Sequence, residues 1–307
     1  MITTVCLNPS FDKTAEVDAL TPGALCRVQR TRMDVGGKGV NVAAGVRALG
    51  GEARVIGFVG EDDALRYETM LDQTGMEHRF VRVPGSVRTN LKVLSRKNRE
   101  VTEINEIGAA VPPEAMEAFE DVLREACRDS DWIVLTGSLP PGCGPDTYRK
   151  LIQDAGGLRC ILDVGGQPLR EGVQAAPYLI KPNLYELEQT VGQELTNLQD
   201  IVYAARRLLS RGVGLAVVSL GADGAVMADR SMAWYAPGIR VEAASTVGAG
   251  DAMISGLLMG FTRSDDPVEA FRSGIASATA SVLTDGTQPP DRETYERMLS
   301  QVQIREV

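Results

Sequence analysis

The sequence predicts an α/β fold with a doubly wound, mostly parallel sheet, and three observations support this prediction. Short apolar runs alternate with amphipathic helical patterns along most of the 307 residues. Several runs are apolar at nearly every position, as expected for parallel strands that helices cover on both faces. Two glycine-rich turns precede helices, and in this fold class ligands bind at the carboxyl ends of the strands.

The strand candidates are short runs rich in Val, Ile and Leu. They are residues 3–8, 53–59, 132–137, 159–164, 178–183 and 215–221. The helical candidates carry apolar residues at intervals of three and four positions. They are residues 39–49, 64–74, 113–128, 145–155, 197–211 and 267–283, and one more helix is predicted to begin near Asp251.

Two segments interrupt the alternation of strands and helices. Residues 10–35 and 86–107 are extended pairs rich in Val and Thr, and "RTNLKVLSRKNREVTEIN" is a hairpin with the polar turn "RKNRE". We expect them to form a small discontinuous sheet that protrudes as a lid, and the alternative is that they are edge strands of the main sheet. The α/β core would then comprise residues 1–9, 36–85 and 108–307.

Composition excludes several classes of function. The net charge of −9 argues against nucleic acid or an anionic membrane as the main partner. The five cysteines contain no CxxC pair, so neither a disulfide framework nor a zinc site is expected. The single histidine, His78, is predicted in an exposed polar loop, and histidine-based metal or triad chemistry is therefore disfavoured. With no apolar run of about 20 residues and no signal-peptide pattern, we expect a cytoplasmic protein.

The stretch "STVGAGDAMISG" (245–256) places a glycine turn directly before an apolar helix. Gly248 and Gly250 permit backbone conformations that are closed to other residues, and the unpaired amides at a helix start form an anion site. Asp251 has two interpretations. It is either a helix cap or first-turn acid, or a carboxylate that accepts a proton from a hydroxyl attacking a bound phosphate.

A second glycine turn, "DVGGKGVNVAAG" (34–45), also opens a helix. Its glycines let a ligand approach the backbone, and Lys38 supplies a positive charge. Neither turn is a P-loop, because Lys38 is followed by Gly39 rather than by Ser or Thr. The turn at 245–256 is not a dinucleotide-binding fingerprint either, because Met253 stands where GxGxxG requires its last glycine. The alternative is that each turn is only a structural helix boundary, but two such turns in a fold with ligand crevices at its strand ends are more informative together than either alone.

Together, "GGKGVNVA" and "STVGAGDAMISG" resemble the two signatures of the PfkB-type, ribokinase-like carbohydrate kinases. Five further segments fall in the order that this family uses: "LNPSFD" (7–12), "RTNLKV" (88–93), "TGSLPPG" (136–142), "IKPNLYE" (180–186) and "SLGADGA" (219–225). The resemblance covers most of the chain. Ser245 stands where many sugar kinases of the family have Asp, which favours the branch that acts on sugar phosphates.

The resemblance implies a ribokinase-like fold with a β-sheet lid and ATP-dependent phosphoryl transfer with Mg²⁺. Asp251 would be the catalytic base, and the backbone amides of Gly248, Ala249, Gly250 and Asp251 would form an anion hole. Lys181 would lie near the ATP phosphates, or else be a strand-end lysine. The nucleotide side would also include Asn183, Ser219, Gly221, Asp223 and Gly224, unless residues 219–224 form only a tight turn.

The resemblance also implies a metal site and a sugar-phosphate site. Asn183 and Glu186 match the family's NxxE motif and would orient hydrated Mg²⁺, unless Glu186 is a plain helix carboxylate. The acceptor would contact Asp12, Gly37, Lys38, Asn41 and Ser138, and its phosphate would meet Arg88, Asn90 and Lys92. The alternatives are that Asp12 forms a turn and that Arg88 and Lys92 are solvated cations.

The implied reaction is phosphorylation of D-fructose 1-phosphate at O6, which gives fructose 1,6-bisphosphate. A tagatose-6-phosphate kinase that attacks from O1 is the first alternative, and a non-catalytic sugar-phosphate sensor on the same fold is the second. The apolar face expected on the small sheet favours a homodimer formed through the lid.

Overall fold

Two separate β-sheets organise the computed structural model, which describes residues 1–98, 100–284 and 286–307. The strands are β1 (Ile2–Cys6), β2 (Ser10–Val17), β3 (Val28–Gly36), β4 (Ala53–Gly60), β5 (Glu77–Val83), β6 (Arg88–Ser95), β7 (Val101–Asn105), β8 (Trp132–Thr136), β9 (Arg159–Asp163), β10 (Leu179–Ile180), β11 (Leu215–Ser219), β12 (Ala225–Ala228), β13 (Ala233–Ala236) and β14 (Arg305–Glu306). The helices are α1 (Lys38–Ala48), α2 (Ala64–Gln73), α3 (Pro113–Ala126), α4 (Thr147–Asp154), α5 (Gly166–Gly172), α6 (Leu184–Val191), α7 (Leu198–Leu209), α8 (Ala249–Arg263), α9 (Pro267–Ser281) and α10 (Arg292–Leu299).

The larger sheet has ten strands in the order β14-β13-β12-β11-β10-β9-β8-β1-β4-β5. All neighbours from β11 to β5 are parallel, whereas β12, β13 and β14 add antiparallel pairs at one side. Because the parallel strands run the same way, their carboxyl ends meet along one edge of the sheet.

Helices cover both faces of the larger sheet, so the predicted doubly wound architecture is confirmed. One buried cluster joins the sheet to α1, α2, α8, α9 and α10, and includes Val42, Leu257 and Phe271. The other joins it to α3, α4, α5, α6 and α7, and includes Phe119 and Tyr148. None of the helices in the described part of the chain combines the length and apolarity needed to cross a bilayer.

All six predicted strands and all seven predicted helices occur, with shifted ends. The sequence patterns missed several short elements, namely β5, β12, β13, β14, α5, α6 and α10.

The prediction that His78 lies in an exposed loop is wrong, because it belongs to β5 and only 14% of its side chain is exposed. As an edge strand that pairs only with β4, β5 carries enough polar residues to hide the strand pattern.

The smaller sheet has the order β3-β2-β6-β7, and the two segments predicted to form it both contribute. The alternative that they are edge strands of the main sheet is therefore wrong. Within it, β2 and β6 are parallel and set Asp12 beside Asn90, so Asp12 lies in a strand and not in a turn. The hairpin of β6 and β7 is also as predicted, although Arg99 of its turn lies outside the described residues.

Candidate active site

A cavity of about 550 Å³ lies between the small sheet and the carboxyl edge of the parallel strands. Side chains and backbone from both sheets and from the two glycine turns line it. Among the predicted site residues it brings together Asp12, Gly37, Lys38, Asn41, Arg88, Asn90, Lys92, Ser138, Lys181, Asn183, Glu186, Ser219, Gly248, Gly250 and Asp251. We call it the acceptor cavity, after the ligand that the family resemblance implies for these residues.

A second cavity, of about 630 Å³, adjoins the first and is more apolar. Asn183, Ser219 and Gly250 line both cavities. The remaining wall includes Gly221, Gly224, Ala249, Ile239, Val241, Met253 and Ile275. We call it the nucleotide cavity after the ligand that the family resemblance implies there, since an apolar cleft beside a polar one suits a base next to its phosphates.

Asp223 was predicted beside the nucleotide but is not among the residues that line either cavity. It is exposed, its amide donates to Leu220 O, and its own carbonyl accepts from the Tyr235 hydroxyl at 2.8 Å. The sequence motif located the turn correctly, and Gly221, Ala222 and Gly224 of this turn line the second cavity.

Asp251 lies in the first turn of α8 and is 5% exposed. Gly248 is the N-cap, with a φ of 83° that favours glycine, and no side chain caps the helix. Asp251 is therefore not the cap, but it is the first-turn acid that the same interpretation allowed. Its Oδ2 instead accepts a hydrogen bond of 2.9 Å from Asn41 Nδ2. The Ser255 hydroxyl donates to Val42 O and so ties α8 to α1 behind this contact.

Burial raises the pKa of Asp251 to about 6. The positive charge of Lys38 opposes this shift, the negative charge of Asp163 adds to it, and the hydrogen bond from Asn41 and the charge of Lys181 also oppose it. A carboxylate with a pKa near neutrality both ionises at physiological pH and accepts a proton readily.

Asp163, at the end of β9, is an acceptor-cavity residue that the sequence reasoning missed. It is 1% exposed and forms ion pairs with Lys181 at 2.9 Å and with Lys38 at 3.2 Å, while Thr136 Oγ1 donates to its Oδ2 at 2.9 Å. Burial raises the pKa of the Asp163 carboxyl, but the positive charges of Lys181 and Lys38 outweigh burial and lower that pKa to about 2. The available signal was an acid at the end of an apolar strand.

The buried carboxylate of Asp12 on the small sheet is a hub, meaning that three neighbouring side chains contact it. Its Oδ2 pairs with Lys92 Nζ at 3.2 Å, and its Oδ1 accepts from Asn90 Nδ2 at 3.1 Å and from Ser10 Oγ at 2.9 Å. Lys92 is only 7% exposed, so the alternative that it is a solvated cation is wrong. The carboxylate therefore holds Lys92 and Asn90 in place along β6.

Arg88 is half-buried beside this hub, and burial lowers its pKa. One guanidinium nitrogen donates to Asn8 O at 3.1 Å and another to Glu106 O at 3.3 Å. Within the described residues, its Nε and Asn90 Oδ1 are buried polar atoms without a hydrogen-bond partner. Arg88 and Asn90 both line the acceptor cavity, and a guanidinium group beside a side-chain amide suits a ligand that carries both phosphate and hydroxyl groups.

Asn8 is a second residue that the sequence reasoning missed. It follows β1 and is 7% exposed, and its side-chain amide donates to Ser138 Oγ at 3.1 Å and to Ile107 O at 3.0 Å. The hydrogen bond from Asn8, just after β1, therefore fixes the position of the Ser138 side chain in the cavity wall.

Asn183 and Glu186 form a reciprocal capping box at the start of α6. Asn183 Oδ1 accepts from the Glu186 amide at 2.8 Å, and Glu186 Oε2 accepts from the Asn183 amide at 2.9 Å. Within the described chain no cluster of three or more His, Cys, Asp or Glu side chains is placed to hold a metal. A single carboxylate that lines the cavity, that of Glu186, nevertheless fits Mg²⁺, which keeps several waters and takes few protein ligands.

Comparison with known proteins assigns this site to a family. The model of the "pfkB family carbohydrate kinase" matches residues 6–294. The chain belongs to this family of carbohydrate kinases. It is 38% identical to a 1-phosphofructokinase of Rhodobacter capsulatus over 95% of the chain and 94% of that protein. It is 32% identical to a 1-phosphofructokinase of Escherichia coli K12 over 99% of the chain and 98% of that protein.

Solved structures agree with the assignment to the pfkB family. Phosphofructokinase-2 from Escherichia coli in complex with fructose-6-phosphate superposes with a TM-score of 0.91 at 28% identity, over 98% of each chain. That enzyme has also been solved in a tetrameric inhibited form. The present pfkB chain is accordingly an ATP-dependent sugar-phosphate kinase, and the predicted ribokinase-like fold with a small separate sheet is confirmed.

Proposed function

We propose that the protein transfers the γ-phosphoryl group of ATP to O6 of D-fructose 1-phosphate and forms fructose 1,6-bisphosphate and ADP. The observation that carries the proposal is the buried Asp251 carboxylate, which stands in the acceptor cavity one residue after Gly250, a residue shared with the nucleotide cavity. The 1-phosphofructokinase relatives support this choice of acceptor over tagatose 6-phosphate.

Asp251 acts as the base in this proposal. Its carboxylate takes the proton from the O6 hydroxyl while that oxygen bonds to the γ-phosphorus and the bond to the ADP oxygen breaks. Amides of the first turn of α8 have no partner within the helix, and they stabilise the charge on the transferred group. The Ala249 amide is the least available of them, because it lies 3.5 Å from Thr246 O.

The small sheet anchors the phosphate that the acceptor already carries. Arg88 and Asn90 both line this wall, where the guanidinium group of Arg88 contacts the phosphate and the amide of Asn90 contacts a hydroxyl group. Lys92 contributes positive potential but is already paired with Asp12. In this proposal residues 10–35 and 86–107 act as a lid over the core.

The nucleotide occupies the second cavity with its phosphates toward Lys181 and the start of α8. A Cβ at Gly250 would lie 3.2 Å from Lys181 Nζ, so this ammonium group is next to the proposed anion hole. Glu186 would hold Mg²⁺ through its waters, with Asn183 beside it. When bound, Mg²⁺ would neutralise charge on the nucleotide phosphates.

The decisive experiment measures kcat/KM with ATP and fructose 1-phosphate, tagatose 6-phosphate or fructose 6-phosphate as acceptor, and identifies the products by mass spectrometry and NMR. We expect fructose 1-phosphate to give the highest kcat/KM and a 1,6-bisphosphate product, with loss of turnover in Asp251→Asn. A higher value for tagatose 6-phosphate would favour the alternative substrate. No acceptor-dependent ADP release would contradict the kinase proposal.

We also propose that the small sheet mediates a homodimer. Val28, Val101 and Ile104 lie on its two outer strands and are 50%, 52% and 58% exposed. Pairing of such strands buries apolar side chains and open backbone groups. Light scattering should give about twice the 32.9 kDa chain mass, and Ile104→Glu should lower it. A monomer mass for the unmodified protein would refute this interface.

A further inference from the structure

The carboxylate of Asp163 joins three strand ends and one helix start. Thr136 ends β8 directly beside Asp163 in the parallel register, and its Oγ1 donates to Asp163 Oδ2 at 2.9 Å and lies 3.1 Å from the Asp163 carbonyl oxygen. Lys181 follows β10, and its amide donates to Leu162 O at 3.1 Å. Lys38 is the first residue of α1. Four elements therefore fix the surroundings of one buried carboxylate.

The two oxygens of Asp163 serve different lysines. Oδ1 pairs with Lys181, which is 4% exposed, and Oδ2 pairs with Lys38, whose side chain is 44% exposed and faces the acceptor cavity. Lys181 also lies beside Gly250, which both cavities share. The carboxylate consequently ties a cation on the acceptor side to a cation next to the proposed anion hole.

Holding two ammonium groups together requires a negative charge between them. Without it, Lys38 and Lys181 would repel each other in a partly desolvated cavity, where charge interactions are stronger than in water. A carboxylate that only stabilised the fold would not need to divide its oxygens between two cavity-lining lysines, since a buried ion pair adds little net stability by itself.

We infer that Asp163 is a positioning residue that holds the ammonium groups of Lys38 and Lys181 at the junction of the acceptor and nucleotide cavities, ready to flank the transferred phosphoryl group. This inference rests on the proposed phosphoryl transfer. Asp163 touches neither substrate in this arrangement, and acts through the two lysines. Preorganised cations need no rearrangement when charge develops on the transferred group.

The first test compares the steady-state kinetics of Asp163→Asn and Asp163→Glu. Asp163→Asn should lower kcat by about 100-fold, the loss expected when groups are misplaced by roughly 1 Å. It should also move the acidic limb of the pH profile to lower pH, because Asp251 loses a negative neighbour and keeps Lys38 and Lys181. Asp163→Glu should return the acidic limb to the pH of the unmodified enzyme, since glutamate restores the negative charge beside Asp251.

A matched control lies on the same strand. Arg159 at the other end of β9 pairs with the exposed Asp265, far from both cavities. Asp265→Asn should leave kcat and the acidic limb unchanged. If Asp163→Asn shared that result, or lost only thermal stability with an unmoved limb, a purely structural role would replace the positioning role.

The second test needs no catalysis and therefore separates this inference from the proposed function. Asp163 is the main cause that raises the pKa of Lys38 well above its usual value, with Asp251 and Glu186 adding to it. Trace labelling with acetic anhydride, read by peptide mass spectrometry, should show Lys38 reacting at least several-fold faster in Asp163→Asn, relative to the exposed Lys97 in the same sample.

Unchanged labelling of Lys38 would overturn the inference even if the protein is an active kinase. Faster labelling in a protein without any phosphotransfer activity would instead leave the lysine contact intact and refute the function on which its role depends.

Discussion

Asn41 donates its side-chain amide to Oδ2 of Asp251 at 2.9 Å, across 210 positions of sequence. The contact joins the first turn of α1 to the first turn of α8, and the two glycine turns thus meet at the proposed base. The sequence motif suggested that Asn41 contacts the sugar. The structure gives it a direct partner in Asp251, so its loss should affect the base before it affects acceptor binding.

Asn41→Ala should therefore lower kcat by about 10- to 100-fold, the worth of a hydrogen bond to a charged group, and should leave the KM for the sugar phosphate nearly unchanged. In an Asp251→Asn background the same substitution should cost little more, because residues that act through one another are non-additive. A raised KM with unaltered kcat would show that Asn41 serves the acceptor instead.

The acidic limb of activity should lie near pH 6. The pKa of Asp251 is raised to about 6 and the base must be ionised, so kcat/KM for the sugar phosphate should fall as pH drops through that value. Asn41→Ala should move the limb to higher pH, because the lost hydrogen bond stabilises the charged form. An acidic limb near pH 4 would contradict the assignment of a buried base.

Asp251→Asn should lose several orders of magnitude in kcat and gain stability. A carboxyl group whose folded pKa exceeds its unfolded value stabilises the protein fully only below the unfolded pKa, and that contribution is lost as pH rises through the folded value. At pH 8 the variant should gain about 1–3 kcal/mol in free energy of unfolding, and the gain should shrink between pH 6 and pH 4. Urea denaturation at pH 8 and at pH 4 measures the difference in free energy of unfolding between the variant and the unmodified protein. A less stable variant at pH 8 would contradict the expectation that burying this charge destabilises the fold.

Arg88 and Lys92 should respond differently to removal, although both are cations on β6. Arg88→Ala should raise the KM for the sugar phosphate by about 10- to 100-fold, because it removes a charge-assisted contact. Lys92→Met leaves the buried Asp12 carboxylate unpaired and should cost about 3–5 kcal/mol of stability. The double variant Asp12→Asn/Lys92→Met should recover much of that loss in urea denaturation. An unchanged KM in Arg88→Ala would show that Arg88 serves the structure through Asn8 O and Glu106 O and does not bind the acceptor.

Local patterns predicted the fold well because parallel strands and their helices carry their signals within a few residues. They also located both glycine turns, since a turn before a helix is a local feature. The contacts of the site are not local. Asp12 meets Lys92 across 80 positions and Lys38 meets Asp163 across 125, so no spacing rule could identify Asp163 or Asn8 among many similar residues. The contact of Asp251 with Asn41 is likewise not local, because it spans 210 positions.

Gly250→Ala offers the most selective test of the proposed anion hole. Gly250 lies in the first turn of α8 without a positive φ, so alanine fits the backbone and should raise helix stability by up to about 1 kcal/mol. The new methyl group would come within 3.2 Å of Lys181 Nζ, at a residue that lines both cavities. We therefore expect kcat to fall by about 10²-fold, because the methyl group would displace the transferred group by roughly 1 Å from the amides and from Lys181, with an unchanged or higher melting temperature. Gly248→Ala is the comparison, because its φ of 83° should make it lose stability as well as turnover. Wild-type kcat in Gly250→Ala would mean that the transferred group does not pass the start of α8.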